Sequence, residues 1–166
     1  MASITPTSHL QRLIALDSRI EYLRFEEEMP TTAIAAKVLG VAEEQIIKTC
    51  LIKGKKTGSF VAVILLGVDR IDPKKFAAIF EKYSFVSGEE AFSLTGYPAG
   101  GIPPIGLGER ITVVYVDRKV LSHGEVYGGG GEKVSLIRIP SELLVSLNAG
   151  QVVDIAEERT ESEVVR

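Results

Sequence analysis

Four glycines (96, 100, 101, 106) and three prolines (98, 103, 104) fall within twelve residues. Such a stretch excludes both helix and strand interior. Each proline fixes φ and removes a backbone N–H. Gly100 and Gly101 are free to take φ > 0 and to let another molecule approach the main chain. Residues 95–106 are therefore read as an irregular but stiff loop. Its N–H and C=O groups either serve a ligand or belong to a long structural connection. A second element bears on that choice: Ile46-Ile47-Lys48-Thr49-Cys50-Leu51-Ile52, an apolar run interrupted by one lysine.

A chain of 166 residues with 45% hydrophobic content suits one domain with a sizeable core. Its formal net charge is −3. The segment from Asp154 onward carries five acids (154, 157, 158, 161, 163) against Arg159 and Arg166, which leaves the remainder neutral. No global basic excess advertises nucleic acid. A local one exists at Lys48, Lys53, Lys55, Lys56, Arg70, Lys74 and Lys75, and is read first as a solvated hairpin tip and helix face. Cys50 is the single cysteine, so no intramolecular disulfide forms, which fits a cytoplasmic setting. Residues 1–8 lack the apolar core of a signal peptide. No apolar run approaches the ~20 residues of a membrane span.

Taken in order, Thr7 or Ser8 caps a helix to about Arg19, and Ile20 to Glu26 reads as a strand. Thr31 or Thr32 caps a helix through Val38, closed by Gly40. Ile46 to Ile52 and Phe60 to Leu66 flank a polar glycine-containing turn and should pair as a hairpin. Asp72-Pro73 opens a helix to about Lys82, with Pro73 where a missing N–H costs nothing. Ser87 caps another helix through Leu94. Strands are expected at 111–116, 125–128, 134–139 and 151–155, with a short turn or helix from Asp117 and a helix from Pro140-Ser141 to Leu147. Fraying is expected beyond Glu158. The irregular mixture predicts one α+β domain over residues 1–156 with a curved mixed sheet, followed by an acidic tail at 157–166.

Familiar catalytic constellations are missing from this pattern. His9 and His123 lack the partners of a zinc site, so no metal and no cofactor are expected. There is no G-x-S-x-G elbow. Cys50 lies in an apolar strand, where an inert buried thiol is the expected state. Gly54-Lys55-Lys56-Thr57 has the wrong glycine spacing for a phosphate loop. Lys48 stands out. Strand alternation puts it on one face with Ile46, Cys50 and Ile52. There it either snorkels or pairs with an acid, or acts as a fixed cation facing a phosphate or a polarised carbonyl.

From about Tyr22 to Ala156 the chain resembles the YbaK-type aminoacyl-tRNA deacylases, relatives of the editing insertion domain of bacterial prolyl-tRNA synthetase. The resemblance is carried in order by residues 35–41 (AAKVLGV), Gln45-Ile46-Ile47-Lys48-Thr49, Asp72-Pro73-Lys74-Lys75, Thr95-Gly96-Tyr97 with Gly100-Gly101-Ile102-Pro103-Pro104, Val126-Tyr127-Gly128-Gly129, and Val153-Asp154-Ile155-Ala156. It implies a sheet close to a barrel with surrounding helices. It also implies hydrolysis of the ester joining a wrong amino acid to tRNA. Lys48 and Gly100 take the catalytic positions of the family. Thr49, Gly101, Ile102, Pro103, Phe25 and Gly129 take substrate-binding ones.

Some members carry Tyr at the position of Phe25, Ser at that of Gly129 and Asp at that of Leu136. The pocket expected here is plainer and more apolar, which favours a small amino acid such as Ala, with Cys or Ser as alternatives, carried on tRNA-Pro. Such a pocket sorts by size and poorly by one hydroxyl. The expected partners are the mischarged tRNA and, further, an aminoacyl-tRNA synthetase; no membrane is expected. The competing reading is a non-catalytic module of the same fold that binds tRNA or a nucleotide.

Overall fold

In the computed structural model, which describes residues 8–159, helix starts follow the capping chemistry. Helix α1 is Ser8–Ala15. In α2 (Thr32–Leu39) the Thr31 side chain accepts from the Ile34 N–H, and Gly40 ends the helix at φ 71°. In α3 (Pro73–Ile79) the Asp72 carboxylate accepts from the N–H groups of Lys74 and Lys75. In α4 (Gly88–Thr95) Ser87 accepts from Glu90, and Gly96 ends the helix at φ 79°. Helix α5 is Ser141–Ser146. Each cap satisfies an N–H that the helix itself leaves free.

The strands are β1 (Glu21–Arg24), β2 (Ile47–Gly54), β3 (Phe60–Leu66), β4 (Tyr83–Phe85), β5 (Ile111–Asp117), β6 (Glu125–Gly129), β7 (Ser135–Pro140) and β8 (Gln151–Val153). One sheet runs β4-β2-β3-β5-β8 and the other β1-β7-β6. The β2–β3 hairpin is antiparallel, with Lys48 opposite Leu65, whereas β3–β5 and β5–β8 are parallel. A single parallel bridge, Ile46 to Tyr127, joins the two sheets. The result is a curved mixed surface that stays open rather than closing as a barrel.

Alternation along β2 and β3 builds two cores. Ile47, Leu51, Ile64 and Leu66 pack with Leu10, Tyr97, Ile105, Val126 and Ile137. Ile52, Val63 and Leu65 pack on the other face with Phe76, Tyr115 and Ile155. Phe76 meets Tyr83 and Tyr115 edge-on at 5.0 and 5.4 Å. A smaller cluster under α2 joins Ala35, Ala36, Ile46 and Tyr127 to Leu23 and Leu136. No helix among the described residues is long and apolar enough to cross a membrane.

Three local differences from the sequence reading have physical causes. Helix α1 stops at Ala15, with residues 16–20 in turns rather than helix. Helix α3 ends at Ile79 because Phe80 leaves helical geometry (φ −119°, ψ −96°), which frees residues 83–85 to pair with the end of β2. Near the C-terminus, Glu157 donates to the Arg70 carbonyl at 2.8 Å and Arg159 pairs with a buried acid, so the docked chain continues past Glu158. The tail from 160 lies outside the described residues.

Candidate active site

Lys48 lies near the start of β2, on the face shared by Ile46, Cys50 and Ile52. Its ammonium donates to two backbone carbonyls, Gly67 at 3.4 Å and Asp69. Its third proton has no partner among the described residues. Gly67 is a place of close approach: a Cβ there would sit 2.5 Å from Thr32 Oγ1 and 3.2 Å from the Ile46 carbonyl oxygen. The first turn of α2 therefore rests directly on the segment that holds Lys48. Gly67 also lines a polar cavity of about 530 Å³, together with Thr31, Thr32, Glu44, Arg70 and Arg159.

The side chain of Asp69 is fully buried between Arg159 Nε at 3.3 Å and Lys119 Nζ at 3.4 Å. A buried carboxylate needs such compensation. The same residue thus gives its carbonyl to Lys48 and its carboxylate to the C-terminal segment. That segment is fixed independently: the buried carboxylate of Asp117 accepts from the N–H groups of Ile155 and Ala156 at 3.0 and 3.2 Å.

Strand register shows what faces Lys48. Ile46 and Tyr127 are partners and share one apolar cluster. Two residues further along each strand, on the same face, stand Lys48 and Gly129. The next partner on this edge of β2 is β4, whose pairing begins at Ile52. Among the described residues, 48–50 therefore have no partner strand on that edge. Leu51 gives its carbonyl to the Val86 N–H on this side. By the two-residue repeat, the N–H and C=O of Thr49 point into the same gap. The Thr49 side chain alternates to the opposite face, level with Ile64.

The Gly/Pro loop borders the gap. A Cβ at Gly129 would lie 2.2 Å from the Ile102 carbonyl oxygen, so the loop backbone sits directly on Gly129. Gly101 accepts from the Gly131 N–H at 2.7 Å, and a Cβ on it would meet the Glu132 backbone at 2.6 Å. Gly100 is exposed, and a Cβ on it would meet the flexible stem of Lys133, 3.2 Å from its Cγ. On the other face, a Cβ at Gly128 would meet Pro104 at 3.0 Å and Ile47 at 3.3 Å. The loop thus wraps the end of β6 and passes from the Lys48 face to the core.

Neither Gly100 nor Gly101 uses φ > 0; the left-handed glycines of this region are Gly96, Gly106 and Gly108. Residues 99–101 form a 3₁₀ turn instead. The freedom expected at 100 and 101 is used, at 101, for close approach by the chain itself.

The other sequence-predicted residues divide. Leu136 is the register partner of Gly129 and packs in the cluster beneath α2. Phe25 continues β1 beside it, donating to the Val134 carbonyl at 2.8 Å. Pro103 is buried. Burial pushes the Cys50 thiol up, with Lys48 opposing in part, which is the wrong direction for a nucleophile.

Asp69, Arg159 and Glu132 are not among the site residues read from the sequence. Glu132 accepts from the Tyr22 hydroxyl and lies 3.7 Å from Arg24 Nε, pinning the turn against which Gly101 rests. An acid after a glycine run was the only local signal for it. Asp69 had none, since its cations come from 50 and 90 residues downstream.

The site is thus an unpaired edge of an open mixed sheet, bordered by Lys48 and a backbone loop. The chain matches the aminoacyl-tRNA editing domain family over residues 26–147 and belongs to it, which makes it an aminoacyl-tRNA deacylase by class. It is 28% identical over 143 residues, 82% of this chain and 86% of the relative, to EbsC of Enterococcus faecalis, named as a candidate Cys-tRNA(Pro)/Cys-tRNA(Cys) deacylase. A 68-residue stretch is 35% identical to part of the proline–tRNA ligase of Thermodesulfovibrio yellowstonii, covering 41% of this chain and 12% of that protein. Among solved structures, a candidate trans-editing enzyme for prolyl tRNA synthetase superposes with TM-score 0.80 at 26% identity, covering 93% of this chain and all of that one. A hypothetical protein superposes at 0.82 with 32% identity, covering 90% of this chain and all of that one.

Proposed function

We propose that this chain removes a small amino acid, Ala in the first place, from mischarged tRNA-Pro, and that the reaction takes place in the gap between β2 and the Gly/Pro loop. The observation that carries the reading is the register that sets Lys48 and Gly129 on one face, with the edge of β2 unpaired between them.

An aminoacyl ester is already activated, so positioning and charge stabilisation suffice. Water attacks the ester carbonyl, the bond from the acyl carbon to the ribose oxygen breaks, and that oxygen takes up the proton lost by the water and leaves as a hydroxyl. The oxyanion that forms on the way needs preorganised donors. The N–H groups of Thr49 and Gly100 border the gap and supply them with little reorganisation, while that of Gly101 is held by the Pro98 carbonyl at 2.9 Å. Lys48, steered by the carbonyls of Gly67 and Asp69, keeps one proton for the negative charge of the terminal nucleotide or of the oxyanion. Holding ester and water in line lowers the entropic part of the barrier.

The lining supports a small apolar side chain. Gly129 and Leu136 face each other where other members place a hydroxyl and a carboxylate, and the Ile102 carbonyl occupies the space a serine would need. A carrier of the tRNA-Pro type is supported by the names of the relatives. The test is single-turnover release from tRNA-Pro charged with Ala, Cys, Ser or Pro. Fastest release of Ala, with Pro-tRNA spared, is expected. Release of none above the uncatalysed rate would leave a binding module.

A further inference from the structure

The end of β2 remote from Lys48 carries a concentration of cations that the reaction does not use. Lys53 and Phe60 are register partners. The Phe60 ring is held between two cations, with Lys53 Nζ 5.5 Å and Arg110 Cζ 5.4 Å from its centroid. Lys55 and Lys56 form the exposed turn beyond. Lys82 joins them, because its carbonyl accepts from the Lys55 N–H at 2.9 Å. Unlike Lys75, which pairs with Asp154, none of these five side chains makes an ion pair among the described residues.

Two acids stand nearby. Glu81 is bound to the turn, accepting from the N–H groups of Lys56 and Thr57 and from the Thr57 hydroxyl. Glu109 precedes Arg110. Five cations against two acids leave a local excess of three positive charges on a chain whose net charge is −3. Self-repulsion of this kind costs stability unless an anion relieves it.

We infer that this hairpin end is the docking surface for the phosphate backbone of the RNA whose 3′ end enters the gap at Lys48. The inference rests on the proposed reaction for its direction. At a strand rise of ~3.3 Å, Lys55 lies roughly 23 Å from Lys48, so an RNA 3′ end anchored at Lys48 brings the nucleotides that precede it to the hairpin. The exposed tip of the patch is lysine, with Arg110 held on the Phe60 ring, which suits backbone contact. Lysines act as point charges towards phosphate, and Lys55 and Lys56 reach solvent without rearranging the fold.

The experiment uses the full chain with Lys53→Gln, Lys55→Gln and Lys56→Gln combined, and uncharged tRNA as the probe, titrated by fluorescence anisotropy from about 50 to 200 mM salt. Each phosphate contact contributes close to one unit to the log–log salt slope. The slope is expected to fall by about 2–3 units, with weaker binding throughout. A Lys55→Arg and Lys56→Arg variant should keep the slope of the parent. Hydrolysis of 3′-O-aminoacyl-adenosine, which is too short to reach the hairpin, should stay within about twofold, while kcat/KM on whole aminoacyl-tRNA drops at least tenfold. An unchanged slope and affinity in the glutamine variant, with its thermal melt intact, overturns the inference. If the parent hydrolyses neither ester, the reaction at Lys48 is wrong, but the binding arm still decides the role of the hairpin.

Discussion

The carbonyl oxygen of Ile102 stands 2.2 Å from where a Cβ on Gly129 would be. No side chain fits there unless the loop moves. Gly129→Ser, which restores a residue used by some relatives, should therefore lower rather than improve activity. Displacing the loop by ~1 Å is enough for a loss of about a hundredfold in kcat, with destabilisation of about 1–3 kcal/mol from overpacking. Single-turnover deacylation beside a thermal melt checks both. Full activity would mean that the loop is not held on Gly129.

Gly100 and Gly101 should separate. Gly101→Ala drives a Cβ into the Glu132 backbone and should cost stability. Gly100→Ala meets only the flexible Lys133 stem, and its φ is unstrained, so its melt should shift little. If substrate approaches the loop at 100, deacylation by Gly100→Ala still falls sharply. Equal activity in that stable variant would remove Gly100 from the mechanism.

Arg159 reaches the site through Asp69. Arg159→Gln leaves the buried carboxylate with Lys119 alone, and a stability loss of about 1–3 kcal/mol is expected for the missing charged partner. Arg159→Lys should recover part of it. The double variant Asp69→Asn with Arg159→Gln removes the buried carboxylate and leaves the partly exposed Lys119 without its acid, and it should be destabilised by less than the sum of the two single changes. Additivity of the two single changes in a double-mutant cycle would show that the pair does not interact.

Much of the local structure was legible because capping chemistry is local: Thr31 with Gly40, Asp72 with Pro73, and Ser87 all end up as helix boundaries. The β2–β3 hairpin followed from two apolar runs around a glycine turn. What could not be read was set by distant partners. Strand β4 is three residues long, too short for periodicity, and exists because the edge of β2 is available. The parallel pairing of β3 with β5 crosses 44 residues or more of intervening chain. At the site, Lys48 was visible as a charge in an apolar strand. The carbonyls that hold it come from the turn after β3, 19 and 21 residues on, and the Asp69–Arg159 contact depends on chain returning from the C-terminus.

Cys50 should be a poor nucleophile. Its burial raises the thiol pKa, so the fold favours the neutral form. The stabilisation this gives is present below the ordinary thiol value and is lost as pH rises through the raised one. Alkylation of the native protein should stay slow at pH values where a free thiol, with pKa ~8.5, reacts readily. Cys50→Ala should keep most deacylation. A loss of several orders of magnitude with folding intact would reverse this reading.

The most direct test is deacylation of mischarged tRNA by Lys48→Ala, Lys48→Met and Lys48→Arg, each beside its thermal melt. A lysine held only to cap the Gly67 and Asp69 carbonyls would show its loss in stability, with the turnover of the folded fraction preserved. A substrate anchor shows the opposite: all three variants fold, and hydrolysis falls at least about a hundredfold, Arg included, because its planar fork cannot occupy the place of a compact ammonium. That second pattern is expected. Unchanged hydrolysis of every mischarged tRNA by Lys48→Ala would falsify the assignment and move the chemistry away from β2.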